Sequence, residues 1–294
     1  MTCLSSKVVY PQLRDSADLA SAAAQRRFLL LNRVQLTLLS VVAFVSGLSF
    51  ETHSHQRAAA WSVCAFMFVT LAVSTSLRVG KFDDRWFRCR AFAENFKSIV
   101  WRYVMSSHDT EDVSAITYLD ELQQLKERLP DLQREFALYS GSGNLITDWM
   151  RISQALTITE KVKLYRELRL EDQVTWYASK AKQNSQLETR WFWTIFCVEF
   201  VAIVFSAIQA WQLMKFSPVS GIAAVGTALI AWSQIKRFSD LGTSYAIAAG
   251  DLRRIAEVHH NVTTQAEVDL MVLEVETAVS REHSMWLARR VITS

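Results

Sequence analysis

Four long apolar stretches, arranged as two closely spaced pairs, constrain this chain more than any other feature of its sequence. The first pair covers 28–50 and 58–79, and the second covers 191–214 and 219–235. About 20 apolar residues in helical form span a bilayer core. A backbone in lipid satisfies its polar groups only as a helix or a closed barrel. The sequence therefore predicts an all-α integral membrane protein with two transmembrane hairpins, which makes four spans.

Composition places only part of the chain in lipid. Hydrophobic residues make up 50% of the 294 residues, yet 21% are charged and the mean hydropathy is only +0.10. The 3 prolines and 8 glycines are few for this length, which favours long uninterrupted helices over a strand-and-turn fold. We therefore expect long cytoplasmic helices in addition to the hairpins.

Basic residues flank both hairpins on their open side, whereas the two short tips between the paired stretches hold only Arg57 and Lys215. Lys and Arg near the ends of spans stay on the cytoplasmic side of the membrane. Both termini and the central segment are therefore predicted to be cytoplasmic, and both hairpins to enter the membrane from the same side.

The segments outside the hairpins divide the chain into two halves. Apolar residues recur at helical spacing from Asp83 to Ser107, and the stretch Ser140–Asn144 reads as a flexible linker because of its Gly and Ser content. We expect an N-terminal half at 1–140, a linker region at 141–158 and a C-terminal half at 159–294, each half with one hairpin.

Glu199 lies inside the third apolar stretch, where lipid disfavours a carboxylate. It shares one helical stripe with Ala202, Ser206 and Gln209, at steps of three, four and three residues. Small and polar residues on one stripe can line a water-filled path, and a carboxylate there favours cations. The same residues also suit close helix contact, with Glu199 paired to a neighbouring helix. Because an intramembrane ionisable group is costly and usually faces protein or water, we predict that these four residues line a pore.

The first stretch carries a comparable stripe, formed by Arg33, Thr37, Ser40, Phe44 and Gly47. For this stripe we prefer a structural role over a pore-lining one. The charged end of Arg33 can reach the cytoplasmic surface, and the hydroxyls can bond to their own backbone.

Basic residues that follow the second and fourth stretches are candidates for binding the phosphates of a nucleotide or an oligonucleotide. An oligomer would gather them around an axis, where they could contact phosphate groups. Alternatively, they follow the positive-inside rule or contact lipid headgroups. The candidates are Arg85, Arg88, Arg90, Lys97, Arg102, Arg253 and Arg254.

Motifs for catalysis and metal binding are not found in the sequence. It contains no nucleotide-cradling glycine loop, no H-E-x-x-H and no G-x-S-x-G, and its 4 cysteines show no C-x-x-C spacing. We therefore expect no enzymatic activity, no catalytic residue, no metal site and no cofactor.

Segments beside the second hairpin resemble the SLATT family of two-span effector domains. These segments are Tyr165–Asn184, which precedes the hairpin, and Glu276–Trp286. The N-terminal half resembles a second, divergent variant of the family through Arg90–Lys97 and Trp101–Tyr103. The resemblance implies a bacterial conflict-system effector, encoded beside a nucleotidyltransferase or nucleotide sensor, that injures the host cell when phage is sensed. It also implies control by a nucleotide or oligonucleotide that the partner makes.

Together these features predict a pore-forming or ion-channel effector of an anti-phage, abortive-infection system in the bacterial inner (plasma) membrane, gated from its cytoplasmic helices. Four helices are few to enclose a pore, so we expect a homo-oligomer in membrane lipid and take a tetramer as the working number. Two alternatives stay open. One is a non-conducting membrane adaptor that anchors a nucleotide-processing partner, and the other is a small carrier. Many carriers, however, are built from inverted repeats, whereas these hairpins form parallel ones.

Overall fold

The computed structural model describes residues 8–48, 52–107, 111–132, 144–211 and 218–291, and every regular element among them is a helix. The prediction of an all-α fold is therefore confirmed. The helices are α1 Gln12–Ser46, α2 His53–Gly80, α3 Phe82–Met105, α4 Glu111–Glu127, α5 Asp148–Gln154, α6 Ile158–Tyr165, α7 Glu171–Ala210, α8 Val219–Lys236, α9 Phe238–Val258 and α10 Gln265–Val291. A π-helical turn, Arg166–Leu170, joins α6 to α7.

Among the described residues, three helical segments are long and apolar enough to cross a membrane. They are Gln12–Ser46, His53–Met105 and Ile158–Ala210, of which the second joins α2 to α3 and the third joins α6 to α7. The fourth predicted span, 219–235, coincides with α8, a shorter helix of 18 residues. Three spans thus follow from length and composition, and the fourth stays a prediction.

The second helix of each hairpin ends in the same way. Lys81 follows α2 with φ 41° and ψ 40°, and α3 begins at the next residue, Phe82. Arg237 follows α8 with φ 51° and ψ 45°, and α9 begins at Phe238. A side chain in this left-handed region costs energy, and no other described non-glycine residue has a positive φ. The two halves therefore repeat the same helix break, a basic residue followed by phenylalanine.

The chain forms two compact units, and each takes segments from both halves of the sequence. The core unit consists of the described parts of 1–24, 83–181 and 243–294. The hairpin unit consists of the described parts of 25–82 and 182–242. The predicted linker at Ser140–Asn144 lies outside the described residues except for Asn144.

The core unit is built around α3. Trp101 is fully buried on this helix, and its ring makes edge contacts with Trp149 at 5.6 Å and Tyr165 at 5.3 Å between centroids. Edge-to-face pairs of this kind add about 0.5–1.5 kcal/mol beyond the burial of their area. Because Trp149 belongs to α5, the described part of the predicted linker region 141–158 is packed into this core.

The carboxyl end of α3 is held by side chains from distant segments. Gln265 donates to the carbonyl of Met105 at 2.9 Å, and Lys161 donates to the carbonyl of Ser106. The last carbonyls of a helix have no partner within it, so these side chains satisfy groups that burial would otherwise leave unpaired.

The hairpin unit brings the two hairpins into contact along α1 and α8. A Cβ atom added at Gly221 would lie 2.3 Å from Cδ2 of Phe44, so only glycine allows this approach. Nearer the other end of α1, the Arg33 guanidinium lies 4.8 Å from the centre of the Trp232 ring. Part of the stripe predicted on the first span, including Phe44 and Arg33, therefore packs against the second hairpin. The Ser40 hydroxyl donates to the carbonyl of Leu36 at 2.9 Å, as expected for a hydroxyl in a helix.

Candidate functional site

The predicted pore stripe lies along one side of α7. Glu199, Ser206 and Gln209 are exposed on the surface of the chain, and Ala202 is half-buried. A Cβ atom added at Gly226 would lie 3.9 Å from Cγ of Glu199, so the stem of the glutamate runs beside α8. Within the described part of the chain, no side chain forms a hydrogen bond or an ion pair with the Glu199 carboxylate. Its assignment to a pore stays a prediction.

A row of exposed aromatic rings lies beside this stripe on the same helix. The rings of Trp193 and Phe196 are 5.6 Å apart, and those of Phe196 and Phe200 are 6.4 Å apart. All three side chains are at least half exposed. One exposed face of α7 thus suits lipid tails, whereas the adjacent stripe carries the polar groups that lipid disfavours.

The predicted phosphate-binding residues lie on two helices, α3 and α9. Arg88 pairs with Asp131 at 3.4 Å, and Arg102 pairs with Glu121 at 2.6 Å. Lys97 lines a cleft in the core unit. The other four lie on α3 and α9, namely Arg85, Arg90, Arg253 and Arg254.

A buried carboxylate organises the centre of the core unit. Glu276, on α10, accepts hydrogen bonds from Nε and Nη2 of Arg169 at 2.9 and 2.6 Å. It also accepts one from the Ser98 hydroxyl at 2.6 Å and one from the Tyr165 phenol at 2.9 Å. The side chains of Arg169 and Glu276 are each only 2% exposed. This network joins α3, α6, the π-helical turn and α10.

The protonation states in this network follow from its contacts. Burial alone would raise the pKa of Glu276, but the charge of Arg169 and the hydrogen bonds from Arg169, Ser98 and Tyr165 hold that pKa below its ordinary value. Burial and the nearby charge of Glu276 raise the pKa of the Tyr165 phenol well above its ordinary value. Glu276 is therefore ionised at neutral pH, and Tyr165 keeps the proton that it donates.

Sequence reasoning did not pair Arg169 with Glu276. Both residues lie in segments that carry the family resemblance, but 107 positions separate them. A local signal existed, because Glu276 follows Val272 by four residues and precedes Val279 by three, which places it on the apolar stripe of α10. A charged residue on such a stripe needs a buried partner.

A cleft of about 350 Å³ opens beside Arg169 in the core unit. Its walls include three cations, Arg14, Lys97 and Arg169, together with the carboxylates of Glu167 and Asp172. The mixture of both signs suits a ligand that has an anionic end and a hydrogen-bond-donating end.

Lys97 has an unusual environment in this cleft. Its ammonium pairs with Glu94 at 2.8 Å, and both side chains are less than one-fifth exposed. Burial lowers the pKa of Lys97 and the charges of Arg14 and Arg169 lower it further, although Glu94 opposes them. The positive charges of Arg14 and Arg169 are therefore close enough to act on Lys97 in this cleft.

The π-helical turn forms another wall of the cleft. Glu167, Leu168 and Arg169 of this turn all line it. A π-helical turn holds one more residue than an α-helical turn, is rare, and is frequently found at functional sites. The turn also directs Arg169 towards Glu276, so the wall of the cleft and the buried network share one element.

Two family models match the chain in tandem. Residues 11–162 match SMODS and SLOG-associating 2TM effector domain 3, and residues 165–286 match SMODS and SLOG-associating 2TM effector domain 1. Together the two matches cover nearly the whole chain. No curated protein and no solved structure matches the chain significantly.

Proposed function

The chain is a tandem member of the SLATT family, the two-span effector domains of bacterial conflict systems, and from this membership we propose that it conducts ions through a pore. Family membership and the three apolar helices place it in a membrane. In this proposal it lies in the inner membrane of a bacterium, crosses it four times and keeps both termini in the cytoplasm. It acts as an anti-phage effector by depolarising the host cell, without enzymatic activity.

The observation that carries the proposal is the environment of Glu199. Its carboxylate is exposed on α7 and has no described partner, within a segment apolar enough to span a membrane. An ionised carboxylate at the centre of a bilayer costs about 2.5–3.5 kcal/mol on insertion scales. Water or a second protein surface removes this cost, and a pore between copies supplies both.

In this proposal the pore lies between copies rather than inside one chain. Within the hairpin unit, α1 and α8 approach so closely at Phe44 and Gly221 that a single added carbon would clash. Close packing of this kind leaves no room for hydrated ions between these two helices. Several copies, with four as the working number, would place Glu199, Ser206 and Gln209 around a shared path.

A nucleotide or oligonucleotide signal from a partner nucleotidyltransferase would open this pore. The support for this part is the family membership and the cytoplasmic position predicted for the basic residues. Around the axis of an oligomer, residues such as Arg253 and Arg254, which are exposed on α9, would be repeated at each copy and could contact phosphates.

Ion flux tests the proposal directly. The purified protein is placed in liposomes with a potassium gradient, and membrane potential and growth are followed in cells that express it alone or with its genomic neighbour. We expect flux in the wild type when the partner or a nucleotide is present, and a clear reduction in Glu199→Gln. Glu188→Gln is the matched control, because Glu188 is exposed on the same helix before the apolar segment.

Two results would contradict the pore, and a third would contradict the role of the stripe. Normal membrane insertion without flux under any trigger favours the non-conducting adaptor. Saturable uptake of a solute favours the small carrier. Equal flux in Glu199→Gln and Glu188→Gln would show that the stripe has no role in ion conduction.

A further inference from the structure

We propose that the cleft beside Arg169 binds a small organic phosphate about the size of a mononucleotide. The proposal deepens the function above by assigning a regulatory ligand to one site. It rests on that function only for the effect of binding on ion flux, because binding itself is measured separately.

The first argument is the supply of hydrogen-bond donors in the wall of the cleft. The Nε atom of Arg14 is buried and has no hydrogen-bond acceptor among the described residues. Buried polar atoms without a partner are rare in folded proteins and need an explanation. The other end of this guanidinium contacts Asp15 at 2.8 Å and Asp18 at 3.7 Å, and both carboxylates are 58% exposed. Exposed pairs of this kind contribute little, so an incoming phosphate can replace them.

Two further groups can donate to the same anion. Lys97 has three N–H donors, and among the described residues its ammonium pairs only with Glu94. The Tyr10 hydroxyl accepts a hydrogen bond from Trp101 Nε1 at 3.0 Å, and no described group accepts its own proton. The Arg14 guanidinium lies 5.2 Å from the centre of the Tyr10 ring, so these donors belong to one cluster.

Arg169 lines the cleft but is not one of the available donors. Its Nε and one of its terminal nitrogens are occupied by Glu276, whose carboxylate also balances its positive charge. The donors that remain for an anion are therefore those of Arg14, Lys97 and Tyr10.

Two carboxylates in the wall of the cleft limit which phosphates fit. Glu167 and Asp172 are exposed carboxylates that repel a second anion and accept hydrogen bonds from hydroxyl or amino groups. A sugar or a base with such groups, attached to one phosphate, offers partners to both the donors and the carboxylates of the cleft. Small-molecule pockets range from about 300 to 1,000 Å³. A cleft of about 350 Å³ therefore suits a mononucleotide and is too small to enclose an oligonucleotide.

Binding at this site would act on the helix that carries Glu199. The π-helical turn forms one wall of the cleft and continues without a break into α7, which runs from Glu171 to Ala210. A ligand that bridges Arg14 and Asp172 would fix the geometry of this turn. The continuous helix therefore links the cleft to the span that carries Glu199.

Calorimetry on the full-length protein in detergent tests the site, with AMP, ribose 5-phosphate and inorganic phosphate as probes. We expect AMP and ribose 5-phosphate to bind, and inorganic phosphate to bind more weakly because it lacks groups for Glu167 and Asp172. Arg14→Gln should weaken AMP binding roughly tenfold or more, since a charge-assisted contact is lost. Arg151→Gln, an exposed arginine on α5 outside the cleft, should leave it unchanged.

Several outcomes would overturn the site. They are the lack of AMP binding tighter than about 1 mM, an equal effect of Arg14→Gln and Arg151→Gln, and an unchanged affinity in Lys97→Met. A lipid headgroup carries the same phosphate chemistry, so the titration is repeated in nanodiscs with and without phosphatidylglycerol. Loss of AMP binding only in the phosphatidylglycerol discs would assign the cleft to lipid and reject a free ligand. AMP binding without ion flux would reject the pore and support the proposed site. Ion flux without AMP binding would reject the proposed site and support the pore.

Discussion

Removing Arg169 should destabilise the core unit more than any exposed charge substitution. In Arg169→Met, Glu276 would keep the hydrogen bonds from Ser98 and Tyr165 but lose the two from the guanidinium. Hydrogen bonds to charged groups contribute about 1.5–3 kcal/mol each, so two of them correspond to roughly 3–6 kcal/mol. Loss of one partner of a buried ion pair costs about 3–5 kcal/mol in measured cases. We therefore expect a loss of about 4 kcal/mol.

Thermal unfolding of the purified protein, followed by tryptophan fluorescence, measures this loss. A change of 1 kcal/mol shifts Tm by about 2–4 °C for a domain of 150–250 residues, so Arg169→Met should lower Tm by roughly 10 °C. The matched control is Arg102→Met, which breaks a pair whose side chains are 40% and 36% exposed. Exposed pairs contribute at most about 1 kcal/mol, so this variant should shift Tm by only a few degrees.

A double substitution separates the charge from the packing. Arg169→Met combined with Glu276→Leu removes both buried charges and keeps much of the volume, so it should recover most of the stability that the single substitution loses. Equal shifts in Arg169→Met and Arg102→Met, or a double variant as unstable as the sum of its two single variants, would refute the reasoning.

Two further predictions concern the pH dependence of the core unit and the contact between the hairpins. Because the pKa of Glu276 is lower in the folded chain than its ordinary value of 4.5, its contribution to stability should be complete above about pH 4.5 and should fall as the pH drops through the folded-state pKa. Thermal unfolding between about pH 3 and pH 7 should show this acid loss in the wild type and less of it in Glu276→Gln; identical profiles would contradict the network. Gly221→Ala should push Phe44 out of place and lower the stability of the hairpin unit by about 1–3 kcal/mol. Thermal unfolding in detergent should show a partial recovery in the Gly221→Ala, Phe44→Leu double variant, and an unchanged Tm in Gly221→Ala alone would reject the close contact.

The helices could be predicted because their signals are local. Apolar stretches and helical spacing act over neighbouring residues, so α3 at Phe82–Met105 falls within two residues of the predicted Asp83–Ser107. The third apolar stretch is helical up to Ala210 in α7, and the π-helical turn joins α7 to α6. The sequence does not predict this π-helical turn, because one extra residue in a helical turn does not change the composition.

The sites of the core unit could not be predicted because their contacts join distant segments. The sequence predicts that Arg102 binds phosphate, but in the structure Arg102 forms an ion pair with Glu121 of α4. The sequence does not single out Arg14, since nothing in the first helix indicates that it will line a cleft with Lys97 of α3 and Arg169 of the π-helical turn. Charge alone predicts attraction to phosphate, and only the packing of helices decides which charges remain available.

The two family domains form one folded core rather than two independent ones. Ser98 comes from the first matched region, whereas Tyr165, Arg169 and Glu276 come from the second. Without the first region, Glu276 would lose the Ser98 hydroxyl. Without the second, the carbonyl of Met105 at the end of α3 would lose Gln265. Each region thus supplies partners to buried polar groups of the other, and such groups are costly when unpaired. The tandem arrangement therefore builds the core that holds the cleft, so the ligand proposed for the cleft would act on a structure to which both domains belong.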